Sequence, residues 1–228
     1  MILLLETATN ICSAALSEGG SVLSILECSE PNAHSSKLAT FIDKLFKSSD
    51  RPKEALRAVC VSSGPGSYTG LRIGVSSAKG ICYALDIPLI AVPTLQSMAL
   101  QYFDLHSDYD GLVCPMIDAR RMECFTAIYS RSGTVRKTEA EIISEGCFNQ
   151  WLDNQRVCFI GDGAAKTKPI LGVHPNAIYD CEFRISAKGM AGIAEKKLLA
   201  GETEDVAYFE PFYLKDFVAK KSVVHGLR

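Results

Sequence analysis

Few residues in this 228-residue chain have the types and spacing to do chemistry, and the densest set is Gly64-Pro65-Gly66-Ser67-Tyr68-Thr69-Gly70-Leu71-Arg72-Ile73-Gly74. It follows the apolar run Ala58-Val59-Cys60-Val61 and precedes a helix-like stretch, Val75 to Leu85, which gives strand, turn, helix. Such a turn presents backbone N–H groups at a helix N-terminus, where an anion can sit. On that reading Gly64, Gly66, Ser67, Thr69 and Gly70 are candidate phosphate or nucleotide contacts. The same turn strips bulk from the helix start, so another backbone can pack closely against it. Leu71-Arg72 stand where a P-loop needs Lys and Ser/Thr. The G-x-G-x-x-x-G spacing misses the dinucleotide fingerprint. Pro65 breaks a nucleophile elbow around Ser67. Phosphate contact and close packing both stay open.

Two acids come next. Glu6 and Asp118 each close the first strand of a hairpin. In two-lobed phosphotransferases such acids face a cleft and hold magnesium or orient water. The simpler role, favoured here, is to cap the turn by accepting backbone N–H groups. The four histidines, His34, His106, His174 and His225, are too far apart for a two-histidine helical metal site. Nine cysteines without a C-x-x-C pair read as reduced core residues of a cytoplasmic protein rather than a disulfide or zinc framework.

Composition narrows the classes. At 47% hydrophobic and 22% charged, the chain is globular. No apolar run is long enough to span a bilayer, and Met1-Ile2-Leu3-Leu4-Leu5-Glu6 reads as a strand, not a leader. A net charge of −2 is unlike a protein that holds nucleic acid by itself. The one basic cluster, Lys215, Lys220, Lys221 and Arg228, reads as a solvated tail.

The elements that would position these residues follow from periodicity. Strands are expected at 2–6, 11–17 and 22–28, then an amphipathic helix carrying Leu38, Phe41, Ile42, Leu45 and Phe46. A strand at 58–62, a helix at 69–85, a short strand at 88–92 and a helix from Thr94, as N-cap, to Phe103 complete the first half. After the polar stretch 106–111 the pattern restarts, with strands at 112–118 and 123–129. A strand near 134–143, a helix near 146–154, a strand at 156–160, a glycine turn at 161–163 and a helix from Ser186 to Ala200 follow. At the offset separating Glu6 from Asp118, Cys12 meets Cys124, Ala15 meets Ala127 and Leu16 meets Ile128, which suggests an internal duplication. The helix at 69–85 is apolar on more than one face. One side suits a sheet; the other needs a partner or further burial within the monomer.

The segment Ser63 to Gly74 resembles the S-G-P-G-S-[FY]-T-G-L-R-I-G signature of the TsaB (YeaZ-type) family. Leu3-Leu4-Leu5-Glu6-Thr7-Ala8-Thr9, His34-Ser35, Pro115-Met116-Ile117-Asp118-Ala119-Arg120 and Glu210-Pro211-Phe212-Tyr213-Leu214-Lys215 match its other motifs in order, with Glu6 for Asp and Lys215 for Arg as departures. The resemblance implies an α/β fold: a duplicated, two-lobe, actin-like arrangement of the sugar kinase and heat-shock ATPase type, with mixed sheets flanked by helices. Lobes are expected at 1–105 and 106–210, with 211–228 returning toward the first lobe. It implies a non-catalytic dimerisation subunit for transfer of threonylcarbamoyl to the adenosine beside the anticodon of tRNAs reading ANN codons. The catalytic paralogue TsaD binds metal through H-x-x-x-H; Thr94 and Met98 stand at the matching positions here, and neither replaces imidazole. No catalytic residue, metal or required cofactor is therefore expected, only weak ATP or ADP binding within the complex. The implied partners are TsaD, the ATPase TsaE, a second copy when alone, and tRNA through the assembly; no membrane is involved. The expected docking face is Leu38, Phe41, Ile42, Leu45, Leu71, Arg72, Ile73, Val75 and Ala78. The alternatives are a nucleotide hydrolase using Glu6, Asp118 and the glycine loops and, last, a peptidase.

Overall fold

The computed structural model describes residues 1–30, 33–49 and 51–215; Lys220, Lys221 and Arg228 lie outside the described residues. The first half runs β1 (Ile2–Glu6), β2 (Cys12–Glu18), β3 (Ser21–Cys28), α1 (Ala33–Ser49), β4 (Ala58–Ser62), α2 (Tyr68–Leu85), β5 (Leu89–Val92) and α3 (Thr94–Leu105). The second runs β6 (Leu112–Asp118), β7 (Glu123–Ser130), β8 (Gly133–Ile142), α4 (Asn149–Leu152), β9 (Val157–Ile160), α5 (Ala164–Leu171) and β10 (Ala177–Asp180). A 3₁₀ turn at Ala187–Met190 leads into α6 (Ala191–Ala200).

The two sheets have one topology. The first is ordered β3-β2-β1-β4-β5 and the second β8-β7-β6-β9-β10. In each, the first three strands form an antiparallel meander and the last two join in parallel. Central strands β1 and β4 are buried throughout, which is why they read as continuous apolar runs rather than alternating ones. The duplication is real, but its register differs from the sequence offset. Glu6 pairs with Ser13, whereas Asp118 pairs with Cys124, so the second hairpin has one residue fewer in its turn. Ser13, not Cys12, is therefore the equivalent of Cys124. Likewise Ala15, opposite Leu4, corresponds to Thr126, opposite Met116.

Helix placement departs from a division by sequence. α1 and α2 cover one face of the first sheet, where Leu38, Leu45, Val75 and Ala78 join Leu3, Leu5 and Val59 in one core. The other face is covered by Ala187, Met190, Ala191 and Ala194, from the far end of the second half. Reciprocally, α3 packs Leu95, Met98, Ala99 and Tyr102 on the second sheet against Val113, Ile117 and Ala127. The third helix of each half is thus exchanged onto the sheet of the other, so the expected boundaries at 105 and 210 do not separate packing units. Gln101 on α3 ties the exchange together: its amide nitrogen donates to Arg184 O (2.8 Å) and its oxygen accepts from Ser186 N–H (2.9 Å).

Two elements escape the sequence pattern. α5 contains Pro169 and starts after Gly163 without a side-chain cap. β10 has four residues, all half-buried, and so shows no alternation. The helix expected near 146–154 shrinks to α4.

Candidate functional site

A cavity of about 630 Å³ lies between the lobes, lined among others by His34, Ser67, Thr69, Asp118, Asp162 and Lys215. The glycine loop forms one wall. Its glycines are explained by contacts inside the chain. A Cβ on Gly66 would lie 2.2 Å from Ala8 O, one on Gly70 2.1 Å from Thr7 O, and one on Gly74 2.2 Å from Thr7 Oγ1. Gly64, at φ +104°, would meet Phe212 O at 2.5 Å. The loop therefore wraps the β1–β2 turn, and Ser67 N–H donates to Ala8 O at 2.6 Å. The N-terminus of α2 is also capped internally, since Ser67 Oγ accepts from Gly70 N–H at 3.2 Å. Gly64 and Gly70 are buried and committed to this packing, which corrects their reading as phosphate contacts; Ser67 and Thr69 remain exposed to the cleft.

The loop is held from the other side by Thr94, which is the first residue of α3 rather than its N-cap. Its buried hydroxyl accepts from Gly64 N–H (3.1 Å), and its own N–H donates to Gly64 O (3.0 Å). Met98, one turn on, is buried in the second-sheet core. Thr94→Val keeps the shape but leaves Gly64 N–H unpaired. We expect a loss of about 1–3 kcal/mol in urea unfolding, restored by Thr94→Ser.

Glu6 does not reach the cleft. It is fully buried, and its Oε1 accepts from Ala8 N–H (2.6 Å) and Ser62 Oγ (3.0 Å). This corrects its reading as a ligand contact and supports the turn-capping one. Burial pushes its carboxyl up to about 7 from 4.5, the hydrogen bonds from Ala8 and Ser62 opposing only part of the shift. The folded state therefore holds the proton more tightly than the unfolded chain. The resulting stability is fully present below pH 4.5 and is lost as pH rises to about 7. Glu6→Gln removes this dependence. Urea unfolding at pH 4.5 and pH 8 should show the variant gaining on the wild type by on the order of 3 kcal/mol across the interval.

Asp118 does face the cleft. Its Oδ1 accepts from Arg120 N–H at 2.8 Å, the same two-residue step that Glu6 makes to Ala8. The Lys166 ammonium, which pattern reasoning missed, sits against this carboxylate and also donates to Arg121 O (2.8 Å) and Glu123 O (2.7 Å). It partly neutralises Asp118 and weakens it as a cation ligand. Among the described residues no group of three His, Cys, Asp or Glu side chains is placed to hold a metal ion.

The expected docking face is only partly at the surface. Leu38, Leu45, Leu71, Val75 and Ala78 are buried in the chain's own core, so they are corrected from docking to core residues. Phe41, Ile42 and Ile73 are half-buried and Arg72 is exposed. Around them the outer surface of α1 and α2 is mostly small or polar, with Ala39, Thr40, Ser76, Gly80 and Ala84 exposed, and it carries the exposed ring of Tyr83. The C-terminal segment flanks this surface. Lys79 Nζ donates to Ala207 O (3.0 Å) and Phe209 O (3.1 Å), and Phe212 N–H to Ser63 O (2.7 Å). Arg72 Nε donates to Tyr213 Oη at 3.3 Å. The Lys215 ammonium then reaches the Glu123 carboxylate of β7.

A family model described as TsaD, tRNA N6-adenosine threonylcarbamoyltransferase, matches residues 29–223. The chain is 32% identical to the tRNA threonylcarbamoyladenosine biosynthesis protein TsaB of Escherichia coli K12, over 97% of both chains. It is also 32% identical over 125 residues to a tRNA N6-adenosine threonylcarbamoyltransferase of Phocaeicola vulgatus, covering 49% of this chain and 37% of that protein. Among solved structures, YeaZ from Pseudomonas aeruginosa superposes with a TM-score of 0.80 at 24% identity, over 93% of this chain and 99% of that one. No helix among the described residues is long and apolar enough to cross a membrane.

Proposed function

The chain belongs to the TsaB (YeaZ) family of tRNA threonylcarbamoyladenosine biosynthesis proteins, and from that premise we propose that it is the non-catalytic subunit that docks and supports the threonylcarbamoyl transferase. The observation that carries this reading is the state of Thr94 and Met98. Where the catalytic relatives need a metal-binding histidine pair, this chain has a loop clasp and a core side chain, both buried. The subunit acts on the adenosine beside the anticodon only through its partners, the transferase TsaD and the ATPase TsaE, and pairs with itself when they are absent. Docking uses the outer surface of α1 and α2, around Phe41, Ile42, Arg72 and Ile73. It works in the cytoplasm and needs no cofactor. ATP or ADP binds only weakly, within the assembly, in the cleft beside Ser67, Thr69 and Asp118.

Reconstitution tests this. The cognate transferase, TsaE, threonylcarbamoyl-adenylate and an ANN-decoding tRNA are incubated with and without the chain. Modified adenosine should form at a useful rate only when the chain is present, and the chain with tRNA but no transferase should form none. Full modification in its absence would sink the proposal.

A further inference from the structure

Cys12 and Cys28 stand directly opposite each other where β2 meets β3. Among the strand registers of the described residues, no other two cysteines are paired in this way. Opposite residues of an antiparallel pair have Cα atoms roughly 4.5–5.5 Å apart, inside the roughly 4.4–6.8 Å window that a disulfide spans. Both side chains lie on the α1 side of the sheet: Cys12 belongs to the core there, and Cys28 packs against it. On the neighbouring rung Ser13 Oγ donates to Glu27 Oε1 at 2.7 Å, so facing side chains at this end of the hairpin touch. Cys12 is fully buried and Cys28 half-exposed.

We infer that Cys12 and Cys28 form a dithiol modification site, oxidised by low-molecular-weight disulfides to a cross-strand bond without unfolding the sheet. The half-exposed Cys28, as thiolate, attacks glutathione disulfide, forms a mixed disulfide and releases one glutathione thiolate. The Cys12 thiol then gives up its proton and displaces the second glutathione. Two protein thiols are oxidised and one glutathione disulfide is reduced to two thiols. Burial holds Cys12 well above the ordinary thiol range, at about 12, with Cys28 beside it adding to the shift. Only a disulfide already delivered to its neighbour brings Cys12 into reaction. The bond would tie the end of β3 a few residues before α1 begins.

The test is oxidation of the native full-length chain with glutathione disulfide, followed by thiol counting and non-reducing peptide mapping. The expected first product is a Cys12–Cys28 link with seven of the nine thiols still free and unchanged far-UV dichroism. Cys12→Ala should instead stop at a stable glutathione adduct on Cys28, and Cys28→Ser should abolish the reaction at both positions. Links scattered among other cysteines, or no Cys12–Cys28 link before the dichroism is lost, would overturn the inference.

Discussion

Gly70→Ala is expected to cost on the order of 4 kcal/mol or more, a large share of the stability of an ordinary domain. The reason is steric rather than torsional. The new methyl would lie 2.1 Å from Thr7 O and 3.3 Å from the Ser67 side chain. Neither can retreat easily: Thr7 follows the central strand β1, and Ser67 caps α2. Either α2 lifts off the β1–β2 turn or the turn deforms, and with it the hydrogen bonds from Ala8 N–H to Glu6 and from Ser67 N–H to Ala8 O. The midpoint of thermal unfolding should fall by more than about 8 °C. A variant with an unchanged midpoint would show that the glycines of the loop do not serve this packing.

Gly80→Arg should do the reverse, leaving the fold intact while abolishing docking. Gly80 sits on the outer face of α2, exposed, with nothing within 4 Å of an added Cβ. Replacing a mid-helix glycine should stabilise the monomer by up to about 1 kcal/mol. It lies two turns from Ile73 on the same stripe, so a long cation there would project from the same outer face of α2 that is assigned to the transferase. Burying an unpaired charge and a bulky side chain in such an interface costs several kcal/mol, so affinity should fall by about 100-fold or more. Gly80→Ala, adding only a methyl, should be the mild control. Calorimetric titration with the cognate transferase reads affinity, and a thermal melt of the same samples reads the fold. Unaltered affinity for Gly80→Arg would move the docking surface elsewhere.

These two glycines show what can be read from letters and what cannot. Both lie in α2, and their neighbours have similar polarity. Their roles separate only when Thr7, some sixty residues earlier, is brought against one of them. The same limit explains the docking residues. The spacing of Leu38, Leu45, Leu71, Val75 and Ala78 correctly marks apolar helix faces, but periodicity does not say which side of an all-round apolar helix is covered by the chain itself. Strand limits at 58–62 and 112–118 were legible because buried central strands are unbroken apolar runs ended by turn residues. The exchange of α3 and α6 between sheets was not, since an apolar helix face carries no label for the sheet it meets. At the site, the turn-capping role of Glu6 and Asp118 followed from their chemistry. Lys166 and Thr94 lacked a local signal, because each acts on a residue distant in sequence.

The most direct measurement is hydrogen exchange of the full chain with and without its cognate transferase. Docking through the outer helices should slow exchange along 33–49 and 68–85, leaving β8 and α5 of the second lobe unchanged. Protection confined to the second lobe, or none at transferase concentrations that restore tRNA modification, would contradict a docking role for α1 and α2.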